Sequence, residues 1–169
     1  EQNHRLLEAL QKKLQLRKLP LHIECFDNSN LQGTDAVAAM IVFKNAKANK
    51  RLYKKFRIKI APGDDDYAAM YEILSRRFLR AKGDDSDSWK LPDLLIVDGG
   101  RGQVNVASRV LQELQITTVD VIGISKPRVE RKRGDTKTSD KIILPKYKDA
   151  LILKRSDPLL LFLQRIRDE

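Results

Sequence analysis

The sequence predicts an α/β fold in which helices flank a mixed central sheet, and three observations predict it. Leu94-Leu95-Ile96-Val97 is an unbroken apolar run that ends in Asp98, turns at Gly99-Gly100 and leads into an amphipathic helical pattern. A run that is apolar on both faces belongs to a strand buried on both sides, and two glycines end such a strand. Ile23-Glu24-Cys25-Phe26 has the same look and ends in Asp27 with turn formers behind it. Residues 51–60 instead alternate, with Leu52, Phe56, Ile58 and Ile60 on one side and Tyr53, Lys55, Arg57 and Lys59 on the other. That period of two marks a strand with one packed face and one wet, basic face.

The elements follow in order. Residues 1–18 read as an amphipathic helix with Leu6, Leu7, Leu10 and Leu14 along one face, the tail of a linker, and Leu19-Pro20 ends it. His4 is expected to be solvated on this helix and His22 to be a strand residue. Residues 21–27 form the first strand, 31–34 a turn, and 36–43 an interior strand joined by a polar hairpin to the basic third strand. The charges of that strand suit a protected edge and equally a phosphate-contacting surface. Pro62-Gly63-Asp64-Asp65-Asp66 leads into a helix over 67–80 with Met70, Ile73, Leu74 and Phe78 as its core stripe and Glu72, Arg76 and Arg77 off it. Acids at a helix start offset its macrodipole. Residues 81–90 form a polar loop with Trp89 as its one large apolar residue, ahead of the strand that ends in Asp98. Gln103 opens the next helix, with Val104, Ala107, Leu111 and Leu114 on one side. Residues 119–125 are a further strand ending at Lys126, and 127–140 a loop carrying Arg128, Arg131, Lys132, Arg133 and Lys137. Residues 141–144 and 150–153 pair as a hairpin. Asp157-Pro158 starts a last helix, whose core face is Leu159, Leu160, Leu163 and Ile166.

Composition narrows the function. At 169 residues, with 41% hydrophobic and 33% charged residues, the chain is one domain with a real core. No apolar run reaches transmembrane length and the N-terminus is too polar for a signal peptide, so a cytoplasmic location with no membrane partner is expected. The lone Cys25 excludes an internal disulfide framework and a cysteine-rich zinc site. A net charge of +10 and a pI near 9.8 point to a polyanionic partner, above all nucleic acid.

Three antiparallel strands followed by helices alternating with parallel strands describe the ribonuclease H-like fold. In that fold the strands ending in Asp27 and Asp98 lie side by side. Two carboxylates meeting at strand tips, where open α/β sheets collect ligands, suit hard divalent cations. Such ions can activate water and stabilise a leaving oxygen in phosphodiester hydrolysis. Asp66, Glu72 and Glu169 are weaker candidates for supporting roles, and Lys126 for holding a phosphate. Ser29 has no nearby histidine base, which argues against a serine nucleophile.

The blocks themselves carry a resemblance. Glu24-Cys25-Phe26-Asp27-Asn28-Ser29-Asn30-Leu31-Gln32-Gly33-Thr34 resembles the E-x-F-D-x-S-x-x-Q-G-T block of the UvrC family, the nuclease subunit of bacterial nucleotide excision repair. Asp65 to Met70 with Arg76-Arg77-Phe78, Pro92 to Gln103, and Gly123 to Lys126 resemble its later blocks, in the same order. The resemblance implies an endonuclease domain that incises damaged DNA on the five-prime side of the lesion, with magnesium or manganese as cofactor. Its partners would be DNA and the excision-repair subunits, the UvrB–DNA complex. It implies Asp27 and Asp98 as catalytic and metal-binding residues. The family's catalytic histidine would follow Arg167-Asp168-Glu169, so residues 19–169 are expected to be the domain, truncated before that histidine. Lys55, Arg57, Lys59, Arg128, Arg131, Lys132 and Arg133 are the expected DNA contacts.

Two other readings stay open. A non-catalytic nucleic-acid-binding module could use the same fold. A nucleotide-binding domain could use Gly100-x-Gly102 after a strand, with Asp120 further on. Against the latter, Asn105 holds the third glycine position, Asp98 would face a pyrophosphate with like charge, and Asp120 begins its strand.

Overall fold

In the computed structural model, residues 1–27, 36–59, 66–126 and 140–169 are described. In chain order the elements are α1 (Gln2–Leu14), β1 (His22–Asp27), β2 (Val37–Lys44), β3 (Lys47–Ala48), β4 (Lys54–Arg57), α2 (Asp66–Ala81), β5 (Leu94–Asp98), α3 (Arg101–Glu113), β6 (Asp120–Ser125), β7 (Lys141–Ile143), β8 (Leu151–Ile152) and α4 (Pro158–Asp168). They form a mixed sheet of order β3-β2-β1-β5-β6-β7-β8, with β4 also paired to β2. β5 runs parallel to both β1 and β6, and the outer pairings are antiparallel.

Alternation along the strands divides the core between two faces. Phe26, Leu95 and Val97 point to one side, where Met70, Ile73, Phe78, Val104 and Leu111 of α2 and α3 cover them. Ile23, Cys25, Leu94 and Ile96 point to the other, under Leu10, Leu160, Leu163 and Ile166 of α1 and α4. Covered on both sides, β1 and β5 are apolar at nearly every position, which is the physical origin of their unbroken runs.

Four expectations change. The first helix stops at Leu14 rather than residue 18, because Gln15 adopts a left-handed φ of 55°. The N–H of Leu16 then closes the end onto the Gln11 carbonyl at 2.9 Å. This helix buries Leu7, Leu10 and Leu14 in the α1/α4 layer. The third strand is not continuous over 51–60. A two-residue β3 comes first, residues 50–52 wind into a 3-10 turn, and β4 spans only Lys54–Arg57, with residue 60 outside the described residues. The 3-10 turn lets Leu52 drop into the α2/α3 layer. The next helix begins at Asp66, and Arg77, expected off its core stripe, is buried.

Arg77 is fully buried, as is Glu24 beneath it. Its Nε and Nη2 donate to the two Glu24 carboxylate oxygens at 2.8 Å each. Nη1 and Nη2 also donate to the carbonyls of Trp89 (3.2 Å) and Lys90 (2.7 Å). A buried charge is tolerable only when paired and hydrogen-bonded, and the planar guanidinium fork achieves both. The pair ties β1, three residues short of Asp27, to α2 and to the segment ahead of β5.

Candidate active site

The β1–β5 register runs from Ile23 opposite Leu94 to Phe26 opposite Val97. One further step brings Asp27 beside Asp98. Asp27 follows Cys25 and Asp98 follows Ile96 by two residues, so both carboxylates leave the sheet on the α1/α4 side. Both are half-buried. Asp98 donates a hydrogen bond to Asp27 when protonated. Burial holds the Asp98 carboxyl above the usual carboxylate range. The Asp27 charge and that hydrogen bond push it the same way, against the opposing pull of Arg167 and Lys126. Beneath the pair, burial and then the Asp98 and Asp27 charges push the Cys25 thiol far up, which leaves it inert.

Glycines shape the rim. Gly99 donates its N–H to the Ile124 carbonyl at 2.9 Å, folding the turn after Asp98 onto β6. A Cβ on Gly123 would lie 2.6 Å from Val104 Cγ2 and 2.9 Å from the Gly99 carbonyl oxygen, so a side chain there would push the turn and α3 away. At Gly102 the ring of Tyr67 occupies the space a Cβ would need. The start of α2 is thereby seated on the start of α3, and Tyr67 stays 52% exposed at the rim.

The structure brings together Asp27, Asp98 and, at the end of β6, Lys126, whose charge favours ionised Asp98. Other predicted residues stand elsewhere. Glu72 accepts from the Lys59 N–H at 3.0 Å and from Arg76 Nη1 at 3.1 Å, fastening the end of the basic strand to α2. Glu169 accepts from the Tyr53 hydroxyl at 3.1 Å, and burial with that hydrogen bond pushes the phenol up to about 12. Asp66 begins α2 with a buried Oδ1 that has no hydrogen-bond partner among the described residues. Among the described residues no third histidine, cysteine, aspartate or glutamate joins the two aspartates in a cluster able to hold a metal. Lys55, Arg57 and Lys59 are exposed. Ser29, Arg128, Arg131, Lys132, Arg133 and Lys137 lie outside the described residues.

Two groups beside the pair escaped the sequence reading. Arg167 of α4 pairs with Asp140 at 2.6 Å, and Gln164 donates to the same Asp140 oxygen at 2.9 Å. Both members of the ion pair are over nine-tenths buried, and Arg167 contributes positive potential at Asp98. Arg167 follows Leu163 by four residues, so helical spacing alone places it on the core face of α4. Nothing local marks Asp140, because its partner is 27 residues away.

The family model described as the UvrC RNAse H endonuclease domain matches residues 11–169. The UvrABC system protein C of Geotalea daltonii is 44% identical over 172 residues, covering 100% of this chain and 27% of that protein. That of Chlorobium chlorochromatii is 47% identical over 163 residues, covering 96% of this chain and 24% of the relative. The chain therefore spans about a quarter of the length of these curated relatives. Among solved structures, Ciona intestinalis endonuclease V in complex with inosine-containing DNA aligns at 15% identity and a TM-score of 0.46, over 78% of this chain and 60% of that one.

Proposed function

This chain belongs to the family of UvrC RNase H endonuclease domains, and we propose that its Asp27–Asp98 edge hydrolyses DNA phosphodiester bonds with a divalent cation, magnesium or manganese. The single observation that carries the proposal is the meeting of two carboxylates at the tips of adjacent parallel strands. In this reading the domain incises damaged DNA on the five-prime side of a lesion, working with the UvrB–DNA complex. The relatives' name, a protein of the UvrABC system, supports an assembly of that kind.

The donor set fits such a cation. Two carboxylates converge on one point and repel when both ionise, and hard cations take oxygen ligands. Bound there, a divalent ion would polarise a phosphoryl oxygen and make water nucleophilic near neutral pH. The chain's own groups do the rest. Asp27 and Asp98 would hold the ion, whose charge would offset the burial and the Asp27 charge that disfavour ionised Asp98. Lys126 stands where a phosphate oxygen beside Asp98 meets an ammonium group. Lys55, Arg57 and Lys59, with Arg128, Arg131, Lys132 and Arg133, supply charge for backbone phosphates. The nucleotide-binding alternative loses ground at Asp120. That carboxylate sits at the start of β6, the end of the sheet away from Asp98, and accepts from the Arg17 N–H at 2.8 Å.

The test is calorimetric titration with manganese, followed by incision assays in the full-length protein with its partner subunits. Asp27→Asn and Asp98→Asn should each lose most manganese binding and abolish five-prime incision while the fold persists. Retained incision by either variant would falsify the assignment.

A further inference from the structure

The register of the sheet carries the site further than the carboxylates. Asp27 pairs across with Ala39, and Ala39 pairs in turn with Lys55. Directly opposed residues on adjacent strands point to the same face. Lys55, Ala39 and Asp27 therefore form one row across the α1/α4 side of the sheet, with Asp98 continuing it. Strands lie about 4.8 Å apart, so the Lys55 and Asp27 backbones are separated by roughly 10 Å. Among the described residues, the half-exposed Ala39 methyl group stands between them. The row is a lane with a carboxylate pair at one end and a lysine at the other.

The lane has a lower wall. Tyr53 precedes Lys55 by two residues and so shares its face, and its hydroxyl meets Glu169 at the end of α4. Arg57, one step further along the same face, opposes Val37 and is exposed. Among the described residues neither Lys55 nor Arg57 has an ion-pair partner. Lys54, the next residue back, points the opposite way. Its ammonium lies 4.5 Å from the centre of the Trp89 ring, on the α2 side. Adjacent lysines on one strand are thus sorted to opposite faces, and Lys55 is the one that shares a face with Asp27.

We propose that Lys55 grips a backbone phosphate of the strand being cut, across the Ala39 floor from the Asp27–Asp98 pair. This rests on reading that pair as the hydrolytic site. A nucleic-acid strand carries one phosphate per roughly 3.4 Å of axis, so a 10 Å lane places the gripped phosphate within about three of the bond attacked. Lys55 is a positioning residue here. It fixes which bond lies over the carboxylates and touches no reacting atom.

Phosphate-neutralisation interference tests it. DNA carrying one neutral methylphosphonate at successive positions is titrated with the 169-residue chain by fluorescence anisotropy, across a range of salt. Wild type should lose affinity at a position within about three phosphates of the cut bond. Lys55→Gln should bind more weakly, reduce the salt slope by about 0.9, and lose sensitivity at that position alone. Lys54→Gln, on the other face, should keep the wild-type slope and pattern. A Lys55→Gln chain with wild-type slope and interference, or a Lys54→Gln chain with the same loss, overturns the proposal. Cutting by Asp98→Asn in the full-length protein would remove the hydrolytic reading while leaving the Lys55 phosphate contact measurable by binding, so the two failures are distinct.

Discussion

Replacing Arg77 with methionine should be among the most destabilising single changes available to this chain. The side chain is fully buried and forms two 2.8 Å hydrogen bonds to a Glu24 that is 1% exposed. Its loss leaves Glu24 as a buried carboxylate without its guanidinium partner, with His22 Nε2 at 3.1 Å. Breaking such a pair from one side costs about 3–5 kcal/mol, a large part of the 5–15 kcal/mol that holds a typical domain folded. Glu24→Gln keeps the shape and leaves Arg77 its two carbonyl acceptors, so it should cost less, about 1.5–3 kcal/mol. Glu24→Leu with Arg77→Met removes both charges. It should recover at least half of the single-variant loss, because the freed Trp89 and Lys90 carbonyls lie near enough to the surface to take water. Urea unfolding followed by circular dichroism and by the fluorescence of the single tryptophan, Trp89, measures all three. Acid supplies a second reading. Burial favours protonation of Glu24, but the hydrogen bonds and charge of Arg77, with His22 beside it, outweigh burial and hold its folded pKa below the ordinary value. The stability this contributes is present above the unfolded pKa and disappears as pH falls through the folded one, so the gap between wild type and Glu24→Gln should close on acidification. An Arg77→Met cost under about 1 kcal/mol, or a double variant no better than the single, would refute the reasoning.

Two further outcomes follow from the site. With a chelator present, Asp98→Asn should be more stable than wild type at neutral pH. The folded pKa of Asp98 is raised, so the stability it contributes is present below the unfolded pKa and lost as pH rises through the folded one. The advantage of the asparagine should therefore vanish in acid, and thermal melts between pH 3 and 8 check it. Gly102→Ala should leave stability within about 1 kcal/mol of wild type, because its Cβ meets only the ring end of the exposed Tyr67, which can rotate into solvent, and chemical unfolding measures it.

What the sequence determined by itself was the alternation of elements and the two strand-end aspartates. Local rules suffice there. An apolar run of four or five residues, a terminal carboxylate and a glycine turn specify a buried strand tip without reference to anything distant. Pairing was nearly legible as well, since strands in this order have few ways to be laid side by side. Tertiary structure decided what depends on partners far along the chain. Arg77 read only as a residue off the core stripe of its helix, because its partner, Glu24, is 53 residues away. Glu72 read as a weaker supporting candidate for the site, and the Lys59 N–H that it accepts lies 13 residues away. Asp140 had no local mark, and Arg167 only its helical phase. The common reason is desolvation. A charged side chain announces exposure by composition alone, and only packing that removes water from it and supplies a counter-charge turns it into a buried one. The row from Lys55 through Ala39 to Asp27 is of the same kind, a property of register between three strands that no single segment contains.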